Sequence, residues 1–261
     1  MTTLPSFQTI ALARTQRLLT ITLNRPDALN GFDEQMHKDL VDVLNFVADD
    51  PASDVLVLTG AGRAFSAGGD FAYIAETAQN PERFDVDVRR AKRIVYALLE
   101  LDKPLVCKLN GHAVGLGATI ALLCDVIFAA DHAKIGDPHV SVGLVAGDGG
   151  AFIWPQRIGY TLAKEYLLTG DLVPAPRAVE IGLINHAVPA AELDAKVDAF
   201  CQRLLHGSTN AIRWTKVTVN LELKRIAHAV MDAGMAYEAV TVRSAEHRQA
   251  VDALQRKRGD K

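Results

Sequence analysis

The stretch at residues 110–125, NGHAVGLGATIALLCD, constrains the fold more than any other segment. The short apolar run Leu105–Leu109 before it reads as a buried strand. Gly111, Gly115 and Gly117 then permit a tight turn, and residues 118–124 continue as an apolar helix. A helix that starts at a glycine turn leaves its first amides without partners, at the positive end of its dipole. There they can meet an anion, or an oxygen that becomes negative during a reaction. A second segment repeats the pattern: the apolar strand at residues 55–59 leads into RAFSAGGD at 63–70, and helical spacing resumes over 71–76. Two such turns can face one pocket.

The rest of the chain alternates in the same way. Residues 9–13 and 18–24 read as a hairpin with its turn at 14–17. Asp33 reads as the cap of a helix whose Met36, Leu40, Val43, Leu44 and Val47 share one face, and Pro51 stops it. Phe84, Val88, Ala91, Val95, Leu98 and Leu99 mark a further helix, with Arg89, Arg90, Lys92 and Arg93 on a solvated face. Val126–Ala130 and residues 184–188 read as strands, residues 135–155 as a glycine-dense loop, and 162–169 as a helix; beyond Ala190 the apolar spacing is helical, including 240–254. The order implies an α/β core with parallel strands over residues 1–198 and a helical region over 199–261.

An apolar fraction of 49% in 261 residues supports a substantial core. A net charge of -3 gives no general attraction to nucleic acid or an acidic membrane, and the basic tail Arg256, Lys257, Arg258 and Lys261 reads as a solvated end. The longest uncharged apolar stretch, residues 113–124, is too short to span a bilayer, and no leader pattern is present, so the expected location is cytoplasmic. Cys107, Cys124 and Cys201 are odd in number, scattered and set among apolar residues, which reads as reduced core thiols.

Gly115-Leu116-Gly117 lacks the third glycine of a dinucleotide fingerprint, because Ile120 stands there. Ser66 lacks the first glycine of a nucleophile elbow and reads as structural. Asp137 and His139 read as too isolated from other ligands to suggest a metal. His139 and Asp148 are the pair suited to moving protons near neutral pH, the carboxylate fixing the tautomer of the imidazole, although two such residues in a glycine-rich loop can also serve only to stabilise it.

NRPDALN at 24–30, RAFSAGGD at 63–70 and NGHAVGLGATIALLCD at 110–125 together resemble the crotonase superfamily of enoyl-CoA hydratases and isomerases. GLVAGDGG, the AxxxGL of 178–183 and AIRWTK at 211–216 follow in the expected order. The resemblance implies an α/β crotonase-like spiral of ββα units with a helical C-terminal trimerisation region, assembled as homotrimers or hexamers. It implies a small-molecule acyl-CoA substrate, with coenzyme A part of the substrate and no separate cofactor or metal. The thioester oxygen would sit between the backbone amides of Gly69 and Leu116, with Arg25, Ala28, Arg63, Ala67, Gly68 and Asp70 around the coenzyme A and substrate.

The chain departs from the family at its acids: Thr119 and His139 stand where typical hydratases carry two glutamates. A threonine hydroxyl is far too weak an acid or base to replace a carboxylate. The loop PHVSVGLVAGDGGAFIWP is instead similar to that of β-diketone hydrolases, 6-oxocamphor hydrolase among them, which use a histidine and an aspartate where His139 and Asp148 stand. Leu116 occupies a position where that hydrolase carries another histidine. Three activities are therefore expected as alternatives: acyl-CoA chemistry through His139 and Asp148, carbon-carbon hydrolysis of a β-dicarbonyl compound, or acyl-CoA binding without turnover.

Overall fold

The computed structural model describes residues 3–259; Lys261 and the side chains of Lys257 and Arg258, part of the basic tail, lie outside the described residues. The hairpin forms as β1 (Ile10–Thr15) and β2 (Leu18–Leu23), paired antiparallel from Ile10 opposite Leu23. Helix α1 (Glu34–Asp49) starts where the sequence places it, with the Asp33 carboxylate accepting the Met36 N–H at 2.8 Å.

The chain then repeats one unit: a strand in a large sheet, a three-residue strand in a small sheet, and a helix. In this way β3 (Val55–Gly60) and β4 (Ala64–Ser66) precede α2 (Phe71–Gln79) and α3 (Phe84–Glu100). The pair β5 (Leu105–Leu109) and β6 (His112–Val114) precedes α4 (Leu116–Leu122), and β7 (Val126–Ala130) and β8 (Lys134–Gly136) precede α5 (Gly150–Thr169). After β9 (Val173–Pro174), α6 (Ala175–Glu180) and β10 (His186–Val188), the chain is helical through α7 (Leu193–Leu205), α8 (Thr209–Val242) and α9 (Ala245–Gly259). The large sheet has the order β1-β2-β3-β5-β7-β10 and the small one β4-β6-β8-β9. This is the α/β spiral of ββα units with a helical C-terminal region that the motifs imply.

Side-chain alternation explains why the central strands read as unbroken apolar runs. Leu56, Leu58, Cys107, Leu109 and Ile127 face the main core, while Val55, Val57, Val106 and Phe128 pack on Leu193, Val197 and Cys201 of α7. With both faces covered, successive residues are buried whichever way they point. The three cysteines are free and buried, as expected.

Three elements differ from the sequence reading. The segment between β5 and α4 contains β6, so the central turn follows a strand of the small sheet. Helix α5 begins at Gly150, inside the stretch read as loop, because Phe152, Ile153 and Trp154 are buried together; Gly159, with φ of 75°, breaks it before the part that was expected. The helical pattern over 240–254 is two helices, parted between Val242 and Ala245. Among the described residues, no helix is long and apolar enough to cross a membrane.

Candidate active site

Strands β4, β6 and β8 lie side by side and parallel, so their carboxyl ends open on one edge of the small sheet. The first delivers the turn Ala67, Gly68 and Gly69; the second delivers Gly115 and Leu116; the third delivers Asp137, Pro138 and His139. Open parallel sheets characteristically gather ligands outside such strand ends.

Two motif asparagines hold the first turn in place. Asn110 accepts the Gly60 N–H at 3.0 Å and donates to the Gly62 carbonyl at 2.9 Å, while Asn30 donates to the Ala61 and Ala64 carbonyls, each at 2.9 Å. The Ser66 hydroxyl donates to the Asn30 carbonyl at 2.8 Å and accepts the Gly68 N–H at 3.2 Å, the structural role its sequence context suggests. Gly68 has φ of +82°, and a Cβ there would lie 2.7 Å from the Val114 carbonyl oxygen. Gly117 permits an equally close approach, since its Cβ would lie 2.6 Å from that of Ser66. The two glycine turns are thus packed against each other. Helix α4 makes its first bond from the Thr119 N–H to the Gly115 carbonyl, and among the described residues neither the Leu116 nor the Gly69 N–H reaches a protein acceptor.

Both turns line a cavity of about 210 Å³, as do His139, Asp148 and Glu238. The imidazole sits against the second turn, 3.5 Å from where a Gly115 Cβ would be. Its Nδ1 donates to Asp137 Oδ1, and its Nε2 lies 3.5 Å from Asp148 Oδ2 and 4.0 Å from Glu238 Oε1. His139 and Asp148 therefore meet, but the carboxylate that fixes the tautomer is Asp137. This corrects the reading of Asp137 and His139 as isolated: Asp137, His139 and Asp148 offer ligand atoms within 4.8 Å of one another. Thr119 is fully buried beneath the loop, its Oγ1 without a partner.

Sequence reasoning missed Asp137 as a partner of His139, and missed Glu238 altogether. The signal for Asp137 was its place two residues before His139 at a strand exit. Glu238 had none, because it arrives from α8, which closes on the loop where Gly147 meets Gly234; a Cβ on Gly147 would lie 2.3 Å from the Gly234 carbonyl oxygen.

Burial opposes charge on His139, but the carboxylates of Asp137, Asp148 and Glu238 and the Nδ1 hydrogen bond outweigh it and hold its pKa well above the usual 6.5. Burial raises Asp148 to about 6 in spite of the attraction of His139. Burial also raises Glu238 well above the ordinary carboxylate range, helped by the charges of Asp148 and Asp137. Near neutral pH this set holds an imidazolium beside an ionised Asp148, so a proton donor and a proton acceptor stand together next to unpaired amides.

Elsewhere on the wall are His37, Tyr73 and Asp87. The Tyr73 hydroxyl donates to Asp87 Oδ1 at 3.0 Å, and His37 Nδ1 donates to the Asp33 carbonyl at 2.7 Å. Burial lowers the pKa of His37 and raises that of Asp87.

Of the other residues that the sequence singled out, Arg25 pairs with Asp33 at 3.0 Å and Asp70 at 3.1 Å. Asp70 also caps α2, accepting the Ala72 and Tyr73 N–H groups. Ala28 ends the short helical turn Pro26–Ala28, and Gly31, against whose position Asp70 Cα and the Ala28 carbonyl both pack, brings these residues together. Arg63 is exposed on the β3–β4 connection, and Ala67 and Gly68 form the turn itself.

A family model described as enoyl-CoA hydratase/isomerase matches residues 13–260. The chain is 33% identical over 217 residues to a crotonyl-CoA hydratase of Syntrophomonas wolfei, covering 82% of each protein. It is 32% identical over 243 residues to a 1,2-epoxyphenylacetyl-CoA isomerase of Escherichia coli, covering 92% of this chain and 93% of the relative. The crystal structure of an enoyl-CoA hydratase/isomerase from Mycobacterium paratuberculosis superimposes with a TM-score of 0.91 at 38% identity, over 96% of this chain and all of the other. With its ββα spiral, paired glycine turns and matches over nearly its whole length, the chain belongs to the enoyl-CoA hydratase/isomerase family.

Proposed function

We propose that the protein is an acyl-CoA enzyme that stabilises a thioester enolate with the Gly69 and Leu116 amides and moves protons through His139 and Asp148. The observation that carries this reading is the placement of His139 against the turn that supplies the unpaired Leu116 N–H. In hydration of a 2-enoyl-CoA, Asp148 takes a proton from water as its oxygen bonds to the β-carbon. The π electrons move to the thioester oxygen, where two amides meet the growing charge. The imidazolium Nε2–H then protonates the α-carbon, and the proton on Asp148 returns to His139 across the 3.5 Å gap. Asp137 keeps the ring oriented, and Glu238 adds a further carboxyl 4.0 Å from Nε2.

Arg25, Ala28, Arg63, Ala67, Gly68 and Asp70 are the proposed coenzyme A side, and no metal or separate cofactor enters the reaction. The helical region over 199–261 is proposed to assemble homotrimers or hexamers in the cytoplasm; exposed Trp214, Val219 and Leu221 on α8 support such an assembly. A second reading, carbon-carbon hydrolysis of a β-dicarbonyl compound, is favoured by Thr119 in place of a glutamate beside a His/Asp pair: Asp148 and His139 would direct water onto one carbonyl, and the amides would hold the departing enolate.

The deciding experiment follows loss of the conjugated absorbance of crotonyl-CoA, with calorimetric binding of butyryl-CoA in parallel. Turnover establishes hydration. Binding without turnover of crotonyl-CoA, longer 2-enoyl-CoAs or β-dicarbonyl compounds identifies a silent binder, and turnover of β-dicarbonyl compounds alone moves the assignment to the hydrolase.

A further inference from the structure

The cavity has a second polar wall that the proton chemistry does not use, on α1, α2 and α3. The polar hydrogens of the side chains that line it are already committed. The Tyr73 hydroxyl donates to Asp87, the Thr77 hydroxyl donates to the Tyr73 carbonyl at 2.9 Å, and His37 Nδ1–H donates to the Asp33 carbonyl. What these groups can still offer a guest is lone pairs: His37 Nε2, the Asp87 carboxylate, and the hydroxyl oxygens of Tyr73 and Thr77, all from residues that line the cavity. No hydrogen bond joins His37 to Asp87, so each can accept from a third group. The same cavity is also lined by apolar side chains, Phe84, Ala91 and Met235 among them. Arg90 Nη1 lies 3.9 Å from Asp87 Oδ1 and offsets part of its charge, which favours a neutral donor over an ammonium group.

We propose that the acyl group bound in this cavity carries a hydroxyl beyond the reacting carbons, and that this hydroxyl donates to His37 Nε2 or Asp87. The proposal rests on the acyl-CoA reading and narrows it to hydroxylated acyl groups. A purely hydrocarbon tail would strip solvent from these acceptors without replacing it, whereas a hydroxyl restores a donor.

The test is a ladder of 2-enoyl-CoA thioesters of increasing chain length, each plain and with a terminal hydroxyl, read by KM and kcat, with saturated counterparts read by calorimetry. At one chain length the hydroxylated member is expected to bind about 10-fold more tightly than its plain partner, the worth of one good hydrogen bond to a buried acceptor. His37→Leu should bring that ratio close to unity. Asp87→Asn should lower it and raise preference for a terminal oxo group, because the amide still accepts from Tyr73 while presenting a donor. Plain thioesters that bind, with no hydroxyl preference at any length, overturn this inference and leave the acyl-CoA reading standing. Failure of any CoA thioester to bind overturns both.

Discussion

Three histidines line the cavity, and the environments of two of them, His37 and His139, drive them in opposite directions. Burial opposes charge on both. At His37 it prevails, since Nδ1 meets only the neutral carbonyl of Asp33 and the carboxylate of Asp87 acts without a hydrogen bond, so the pKa falls. At His139 it is overcome, because Nδ1 meets a carboxylate and Nε2 faces two more within 4.0 Å. His139 therefore holds a proton to give away, and His37 holds a lone pair that can recognise a donor. Burial alone does not say what a histidine does; the number of anions in reach and the charge of its hydrogen-bond partner decide it.

The most severe way to break the contrast is to remove the proton source. His139→Ala is expected to lower kcat/KM on the preferred 2-enoyl-CoA by about 10²–10⁴-fold, the range for losing a positioned acid or base, with the dissociation constant of a saturated thioester nearly unchanged. Equal losses in binding and in kcat/KM would show that His139 only shapes the pocket.

Next comes the packing of the two turns. Gly117→Ala places a methyl 2.6 Å from Ser66 Cβ, and the turns must separate to admit it. A core overpacked in this way loses about 1–3 kcal/mol, and displacing the Leu116 amide should lower kcat by roughly 10–100-fold. Thermal melting and steady-state kinetics read the two effects. A variant that melts lower but keeps its kcat would separate the turn from the chemistry.

A smaller change sharpens the charge argument. Activity should rise with pH through about 6, as Asp148 ionises, and fall at alkaline pH as His139 loses its proton. Asp137→Asn removes the carboxylate whose charge raises His139 most, so the alkaline limb should move toward acid. An unmoved limb would assign it to another group.

How much of this was legible in the sequence follows from the length of each signal. The large-sheet strands and amphipathic helices carry enough residues to show a period, and the glycine turns are visible because φ and close approach demand glycine at Gly68 and Gly117. The small sheet was not, since β4, β6 and β8 have three residues each, too few for alternation to register. Those strands are nevertheless what bring the two turns and Asp137 to one edge. Asp137 was seen and set aside for lack of neighbours, and Glu238 comes from a helix whose own pattern says nothing of what lies across from it. His139 and Asp148 stood out by residue type in the glycine-rich loop, but only the resemblance favoured a catalytic role over a loop-stabilising one. The 3.5 Å contact itself, and the preference of Nδ1 for Asp137, come from three-dimensional packing.

The smallest expected effect is on stability, and it tests both histidines at once. His139 has a raised folded pKa, so its contribution is full below 6.5 and is lost as pH rises through the folded value. Asp148 is raised from 3.8 to about 6, so the folded state also holds its proton longer than the unfolded chain, and stability falls across that interval. His37 is depressed: its contribution is present above 6.5 and is lost as pH falls toward the folded value. Relative to His139→Gln/Asp148→Asn, the wild type should therefore lose melting temperature as pH rises from 4 to 9. Relative to His37→Gln, it should lose melting temperature as pH falls from 7 to 5. Each pKa unit corresponds to about 1.4 kcal/mol, and each kcal/mol to roughly 2–4 °C in a chain of this size. Difference curves that slope the same way would mean that both histidines share one electrostatic setting, and the division into a donating and a recognising histidine would fail.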